Sequence, residues 1–155
     1  ALLSAVAIQE LRPSSKWPAS NVTLNEQAAK LQVGLIDLLW LGDRFALGTE
    51  RLVGGLQKPF DSQASNQGRL LASSILHGLH MAGYREAIAA AVCDPQLLGD
   101  SGLRTLSTRH PSYRPGGYHT GSSWPMDAVF TARGLTRHGF HRESLRLLSK
   151  TKTAI

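Results

Sequence analysis

The stretch "SYRPGGYHTGSSWPMDAVF", residues 112–130, concentrates ring and hydroxyl side chains just before a predicted helix. It holds two Tyr, one His, one Trp and three Ser, and its two Pro and three Gly break regular structure. The helix is predicted over 124–138, because Pro125 is tolerated in a first turn and Ser123 can act as the N-cap. Such side chains suit a sugar, whose C–H face stacks on aromatic rings while its hydroxyls take polar partners. Core packing of the rings is the alternative.

The rest of the chain alternates between helical periods and loops, without the alternation that indicates strands. Thr23 and Glu26 form a capping box ahead of a helix over 24–41, where Leu side chains recur every three or four residues. The sequence therefore predicts a single all-α domain over 1–155. Further helices are predicted over 1–11, 43–52, 67–79, 84–93 and 141–149, with loops over 13–22 and 94–122.

The composition is that of a globular protein, with 42% hydrophobic and 18% charged residues in 155. No apolar run reaches the ~20 residues of a membrane span. The single cysteine, Cys93, excludes an internal disulfide and favours a reducing, cytoplasmic location. The net charge of +6 is concentrated after residue 100, where nine Lys and Arg face two acids.

This basic half raises the alternative of an anionic partner, but the arginines are scattered and no nucleic-acid reading module is present. A zinc site is not expected, because His77 and His80 lack a third nearby ligand. Neither a G-x-S-x-G elbow nor a P-loop occurs, so no serine nucleophile, metal or cofactor is predicted.

Three motifs occur in order along the chain: "SNQGR" (65–69), "GLRTLS" (102–107) and "YHTGSSWPMD" (118–127). Over 62–148 the sequence resembles the C-terminal part of bacterial glycogen debranching enzymes of the amylo-α-1,6-glucosidase family. The resemblance implies an (α/α)6 toroid, of which this chain holds about half the helices. It also implies inverting hydrolysis of α-1,6-linked glucose by two carboxylic acids.

The sequence departs from that family where catalysis is concerned. The Gly-Trp-Lys-Asp-like segment of its general acid is missing, and Glu143 does not match the context of its general base. The family's two His positions hold Arg69 and Met126. No catalytic residue is therefore assigned, and the chain is expected to be a fragment or subunit of an enzyme.

The resemblance implies that the 118–127 loop lines a glucose subsite. Asp127 is then a hydroxyl ligand, and its alternative role is a first-turn acid that stabilises the helix dipole. An α-glucan or oligosaccharide is the expected ligand, with the rest of the toroid or a second copy as partner. A non-catalytic helical interaction module is the competing hypothesis. The expected sugar contacts are Tyr118, His119, Ser122, Trp124 and Asp127, with Arg104 supporting the loop.

Overall fold

The computed structural model describes residues 21–152 and shows a helix-rich domain. The predicted helix over 1–11 and nearly all of the loop over 13–22 lie outside these residues. Four of the helices match predicted ones closely, and the match is best where apolar residues recur at helical spacing. The five helices are α1 (Asn21–Leu39), α2 (Gly68–Ala72), α3 (Ala82–Val92), α4 (Pro125–Arg137) and α5 (His141–Lys152).

Two short antiparallel hairpins interrupt the helices, so the prediction of an all-α chain is wrong in this detail. The strands are β1 (Gly48–Arg51), β2 (Gln57–Phe60), β3 (Leu98–Gly99) and β4 (Gly102–Leu103). β1 pairs with β2, and β3 pairs with β4. Three 3-10 turns span Ser65–Gln67, Ser74–Leu76 and Leu79–Met81.

The core lies where α2, α4 and α5 pack together, around Leu71, Leu135 and Leu147, which are fully buried. Glycines allow α2 and α4 to approach closely. A Cβ on Gly134 would lie 2.6 Å from the backbone of Leu71. A Cβ on Gly68 would likewise collide with Thr131 of α4. The α2–α4 contact therefore depends on backbone surfaces that carry no side chain.

The predicted helix over 43–52 is wrong, because this segment enters the β1–β2 hairpin. Glu50 pairs with Lys58 across the hairpin. Gly54 and Gly55 close the turn at φ values of 87° and 83°, which glycine adopts without steric cost. The paired glycines, which resemble a helix end, are a hairpin turn instead.

The predicted helix over 67–79 is broken at Ser73, which adopts extended angles of φ −90° and ψ 163°. The Ser73 hydroxyl donates to the Leu70 carbonyl at 2.8 Å, so this carbonyl near the end of α2 has a hydrogen-bond partner. Both predicted N-caps are also wrong. Thr23 lies inside α1, and the N-cap of α4 is Trp124, one residue after Ser123.

Candidate functional site

Three rings form a cluster on the loop that precedes α4. Tyr118 meets Trp124 edge-on, with ring centroids 4.5 Å apart, and meets His119 at the same separation. The rings of His119 and Trp124 are nearly parallel, at 14° and 5.9 Å. Tyr118 is 67% exposed and His119 is also exposed. The aromatic cluster, Tyr118–His119–Trp124, is therefore part of the surface, and core packing does not account for Tyr118.

Hydrogen bonds within the loop orient the indole ring of Trp124. Its Nε1–H donates to the Tyr118 carbonyl at 3.1 Å and to the Ser122 Oγ at 2.9 Å. The Ser122 hydroxyl in turn donates to the Tyr118 carbonyl at 2.5 Å. Because these bonds close within seven residues, the cluster is held in shape by its own loop.

Arg104 contacts the same loop mainly through its backbone. It forms an isolated β-bridge with Ser123. The neighbouring Thr105 N–H donates to the Ser122 carbonyl at 2.8 Å. The guanidinium packs against Gly99, where a Cβ would collide with it, and donates to the Pro95 carbonyl at 3.2 Å. Arg104 thus connects the segment after α3 to the loop that carries the aromatic cluster.

Asp127 is buried in the first turn of α4, and both of its carboxylate oxygens have protein partners. The Ser65 hydroxyl donates to Oδ2 at 2.7 Å. Arg69 donates from Nε to Oδ1 at 3.0 Å and donates to the same oxygen from Nη2. The carboxylate therefore joins the segment around α2 to the start of α4, next to the favourable end of the helix dipole.

The structure therefore brings four of the six predicted site residues together: Tyr118, His119, Ser122 and Trp124. The sequence did not assign site roles to Ser65 and Arg69, although both lie in the "SNQGR" motif. One feature of the sequence could have indicated this role. Arg69 is a cation at the position where the debranching pattern has a histidine, and a cation there suggests an acidic partner.

The electrostatics of the loop are positive. Residues 101–124 contain Arg104, Arg109 and Arg114 but no Asp or Glu. Of the acids next to this range along the chain, Asp100 interacts electrostatically with Arg104, and Asp127 is already paired with Arg69. A local excess of cations raises the local concentration of anions. The surface around the aromatic cluster therefore favours a ligand with negative charge.

The other acid after residue 100 is Glu143, on α5. It lines a surface cavity of about 450 Å³ with Cys93, Arg142 and Arg146. This cavity does not include the aromatic cluster, so Glu143 does not line the same surface as the rings.

Metal and membrane features are also absent from the described part of the chain. Within residues 21–152, no group of three or more His, Cys, Asp or Glu could hold a metal ion. No described helix combines the length and apolar character that a bilayer crossing needs.

Comparison with known families gives the class of this protein. The chain matches the family described as "Mannosylglycerate hydrolase MGH1-like glycoside hydrolase domain" over residues 3–155. Because the match covers nearly the whole chain, the protein belongs to this family of glycoside hydrolase domains. The family is part of the (α/α)6 toroid glycosidase superfamily. A search of curated proteins found no match.

The match confirms the predicted glycoside hydrolase class. Debranching specificity, the inverting mechanism and the glucose-binding roles of individual residues stay predictions.

Proposed function

We propose that this chain provides the sugar-binding loop of a glycoside hydrolase whose substrate carries a carboxylate, as mannosylglycerate does. The observation that carries the proposal is the exposed aromatic cluster, supported by its own hydrogen bonds on an arginine-containing loop. Flat aromatic faces next to polar tips are the surfaces on which sugar rings bind.

Each part of the loop has a role in this proposal. Trp124 stacks on the C–H face of the sugar and Tyr118, whose ring is tilted 72° from the indole, contacts its edge, while His119 and Ser122 bond to its hydroxyls. Arg109 and Arg114 are exposed and attract the carboxylate, and an arginine can bind such a group in bidentate fashion. Arg104 holds the loop in place. Asp127 can keep its bonds to Ser65 and Arg69 and accept from a sugar hydroxyl through the remaining lone pair of Oδ2.

The reaction class that we propose is hydrolysis with inversion. It needs one carboxylic acid to protonate the leaving oxygen and one carboxylate to activate water, ~6.5–9.5 Å apart. We assign neither of them to this chain. The chain would contribute about half the helices of an (α/α)6 toroid in the cytoplasm, with the carboxylates supplied by the remaining part.

A second candidate substrate is α-1,6-linked glucose of glycogen-type glucans. The ordered motifs at 65–69, 102–107 and 118–127 favour it, because they resemble those of debranching enzymes. The two candidates differ in charge, and this difference makes them separable by experiment.

Calorimetric titration with mannosylglycerate and with isomaltose tests the proposal. We expect wild-type protein to bind mannosylglycerate more tightly, with an affinity that falls as salt is added. Trp124→Ala should weaken binding about fivefold, since a stacked ring contributes on the order of 1 kcal/mol. Phe130→Ala is the matched control, because Phe130 is an exposed ring on α4 outside the cluster.

Equal binding of the two ligands with no salt dependence would exclude the anionic substrate and favour the glucan. Failure of both ligands to bind folded wild-type protein would reject the sugar site itself. Hydrolysis that disappears in a folded Asp127→Asn variant would show that the catalytic assignment is wrong.

A further inference from the structure

The segment that carries the motif "GLRTLS" is firmly attached to the core. Leu103 and Leu106 are both buried. Between them, the Arg104 N–H donates to the Leu97 carbonyl at 2.9 Å. Thr105 therefore lies in a segment whose backbone is fixed on both sides, and a side chain on such a segment can hold another element in place.

Thr105 holds two consecutive residues of the loop that precedes α4. Its N–H donates to the Ser122 carbonyl at 2.8 Å, and its Oγ1 accepts from the Gly121 N–H at 3.1 Å. The loop is also tightly packed at this point, because a Cβ on Gly121 would collide with the Arg114 carbonyl. The backbone of Gly121 and Ser122 is therefore held at two points by one residue.

Ser122 is also the residue that orients the indole of Trp124. Its Oγ accepts from the Trp124 Nε1–H at 2.9 Å. We infer that Thr105 is a positioning residue of the aromatic cluster: through Gly121 and Ser122 it sets the plane of the Trp124 ring. The value of this plane for a sugar rests on the proposed function, whereas the contacts that set it do not.

A threonine suits this role for two reasons. The Gly121 N–H needs an acceptor on the side chain of residue 105, and a hydroxyl provides one. The branched Cβ of Thr105 restricts χ1, so the direction of the hydroxyl is maintained. Thr105→Val retains the branched shape and removes the acceptor, whereas Thr105→Ser retains the acceptor.

The NMR signal of the Trp124 indole N–H tests the positioning directly. The chain has three Trp, and Trp124→Ala identifies which indole signal belongs to Trp124. We expect Thr105→Val to shift this signal and to speed hydrogen exchange at the Gly121 amide, which loses its acceptor. Thr105→Ser should return both measurements close to the wild-type values.

Thr136→Val is the matched control, because it also removes a threonine hydroxyl from a hydrogen bond. Thr136 donates to the Ser144 Oγ at 2.9 Å, near the end of α4 that is distant from the loop. This variant can lose stability, but it should leave the Trp124 signal unchanged. A shift that occurs only in Thr105→Val therefore reports a local change of the ring and not a general loss of stability.

Calorimetric titration with mannosylglycerate connects the position of the ring to the ligand. We expect Thr105→Val to weaken binding about twofold, less than Trp124→Ala does, because a misdirected ring keeps part of its contact with the sugar. Thr105→Ser and Thr136→Val should bind as wild type does.

An unchanged Trp124 signal in folded Thr105→Val would overturn the inference. A shifted signal with unchanged affinity, or an equal shift in Thr136→Val, would overturn it as well. If folded wild-type protein binds no sugar, the proposed function is rejected, and the Trp124 signal still decides whether Thr105 positions the ring.

Discussion

Arg69 and Asp127 are 58 positions apart in the chain and form an ion pair between α2 and the first turn of α4. Ser65 donates to the second oxygen of the same carboxylate. The aromatic cluster ends at Trp124, three residues before this pair. The position of the cluster relative to the core therefore depends on how firmly Asp127 is held.

Asp127→Asn should destabilise the protein by about 1–3 kcal/mol, because Ser65 and Arg69 lose a charged acceptor. The loss of stability is limited because the Arg69 side chain is 46% exposed and can form hydrogen bonds with water instead. Urea unfolding measures the change. Asp37→Asn, at an exposed position of α1, is the control and should stay within about 0.5 kcal/mol of wild type. If the two substitutions changed stability equally, Asp127 would not be the residue that fixes α2 to the first turn of α4.

Gly134→Ala should destabilise the protein by about 1–3 kcal/mol, although alanine normally favours helix over glycine. The added Cβ would lie 2.6 Å from the backbone of Leu71 and Ala72, which cannot move aside as a flexible side chain can. Gly83→Ala is the opposite case. Its Cβ meets nothing within 4 Å, so α3 should gain up to ~1 kcal/mol. Thermal melts of the two variants should shift in opposite directions, and a shared direction would refute the close α2–α4 packing.

Folding stability should fall as the pH drops below about 6.5, partly because of His138. Burial lowers the pKa of His138 below its ordinary 6.5, and the nearby Arg85 lowers it further. The ring nitrogen Nε2 lies 3.1 Å from the Leu71 carbonyl and must carry the proton that this acceptor needs. His138 therefore binds a proton more tightly in the unfolded chain than in the folded protein. The stability due to neutral His138 is complete above pH 6.5 and is lost as the pH falls through the lower folded pKa.

His138→Gln removes this titration but keeps a donor for the Leu71 carbonyl. Urea midpoints measured from pH 7.5 to pH 5 should fall less steeply for the variant than for wild type. Parallel pH profiles would show that His138 does not contribute.

Cys93 should react slowly with iodoacetamide at pH 8. Burial raises the pKa of the Cys93 thiol above its ordinary 9.0, and Glu143 adds to the effect although Arg146 opposes it. The reactive thiolate is therefore scarce in the folded state. Mass spectrometry of timed samples should show fast labelling in urea and slow labelling without it. Equal rates in both conditions would indicate an open thiol.

Local patterns predicted the long helices well and the short elements poorly. α1, α3, α4 and α5 have an apolar period or a clear stop, so their sequences already specify them. The segment 43–52 is predicted as a helix but enters the β1–β2 hairpin, because Gly54 and Gly55 suit either a helix end or a turn. The antiparallel pairing of Glu50 with Lys58 identifies the two glycines as a hairpin turn, and the sequence of either strand alone does not reveal that pairing.

In the candidate site, too, the sequence predicts the local contacts and misses the long-range ones. Tyr118, Ser122 and Trp124 lie close together because a short loop brings them together, so a local motif was enough to group them. The partners of Asp127 lie about 60 positions away, at Ser65 and Arg69. Contacts over such separations arise from the packing of α2 on α4, and no spacing within either motif encodes that packing.

The separation between α2 and α4 also affects the order of folding. Leu71 joins Leu135 in the core only after the whole intervening segment has been synthesised, and closing so long a loop costs chain entropy before any contact forms. A nascent chain that ends before Pro125 leaves the apolar face of α2 without its cover. During translation this surface is open to chaperones until α4 leaves the ribosome.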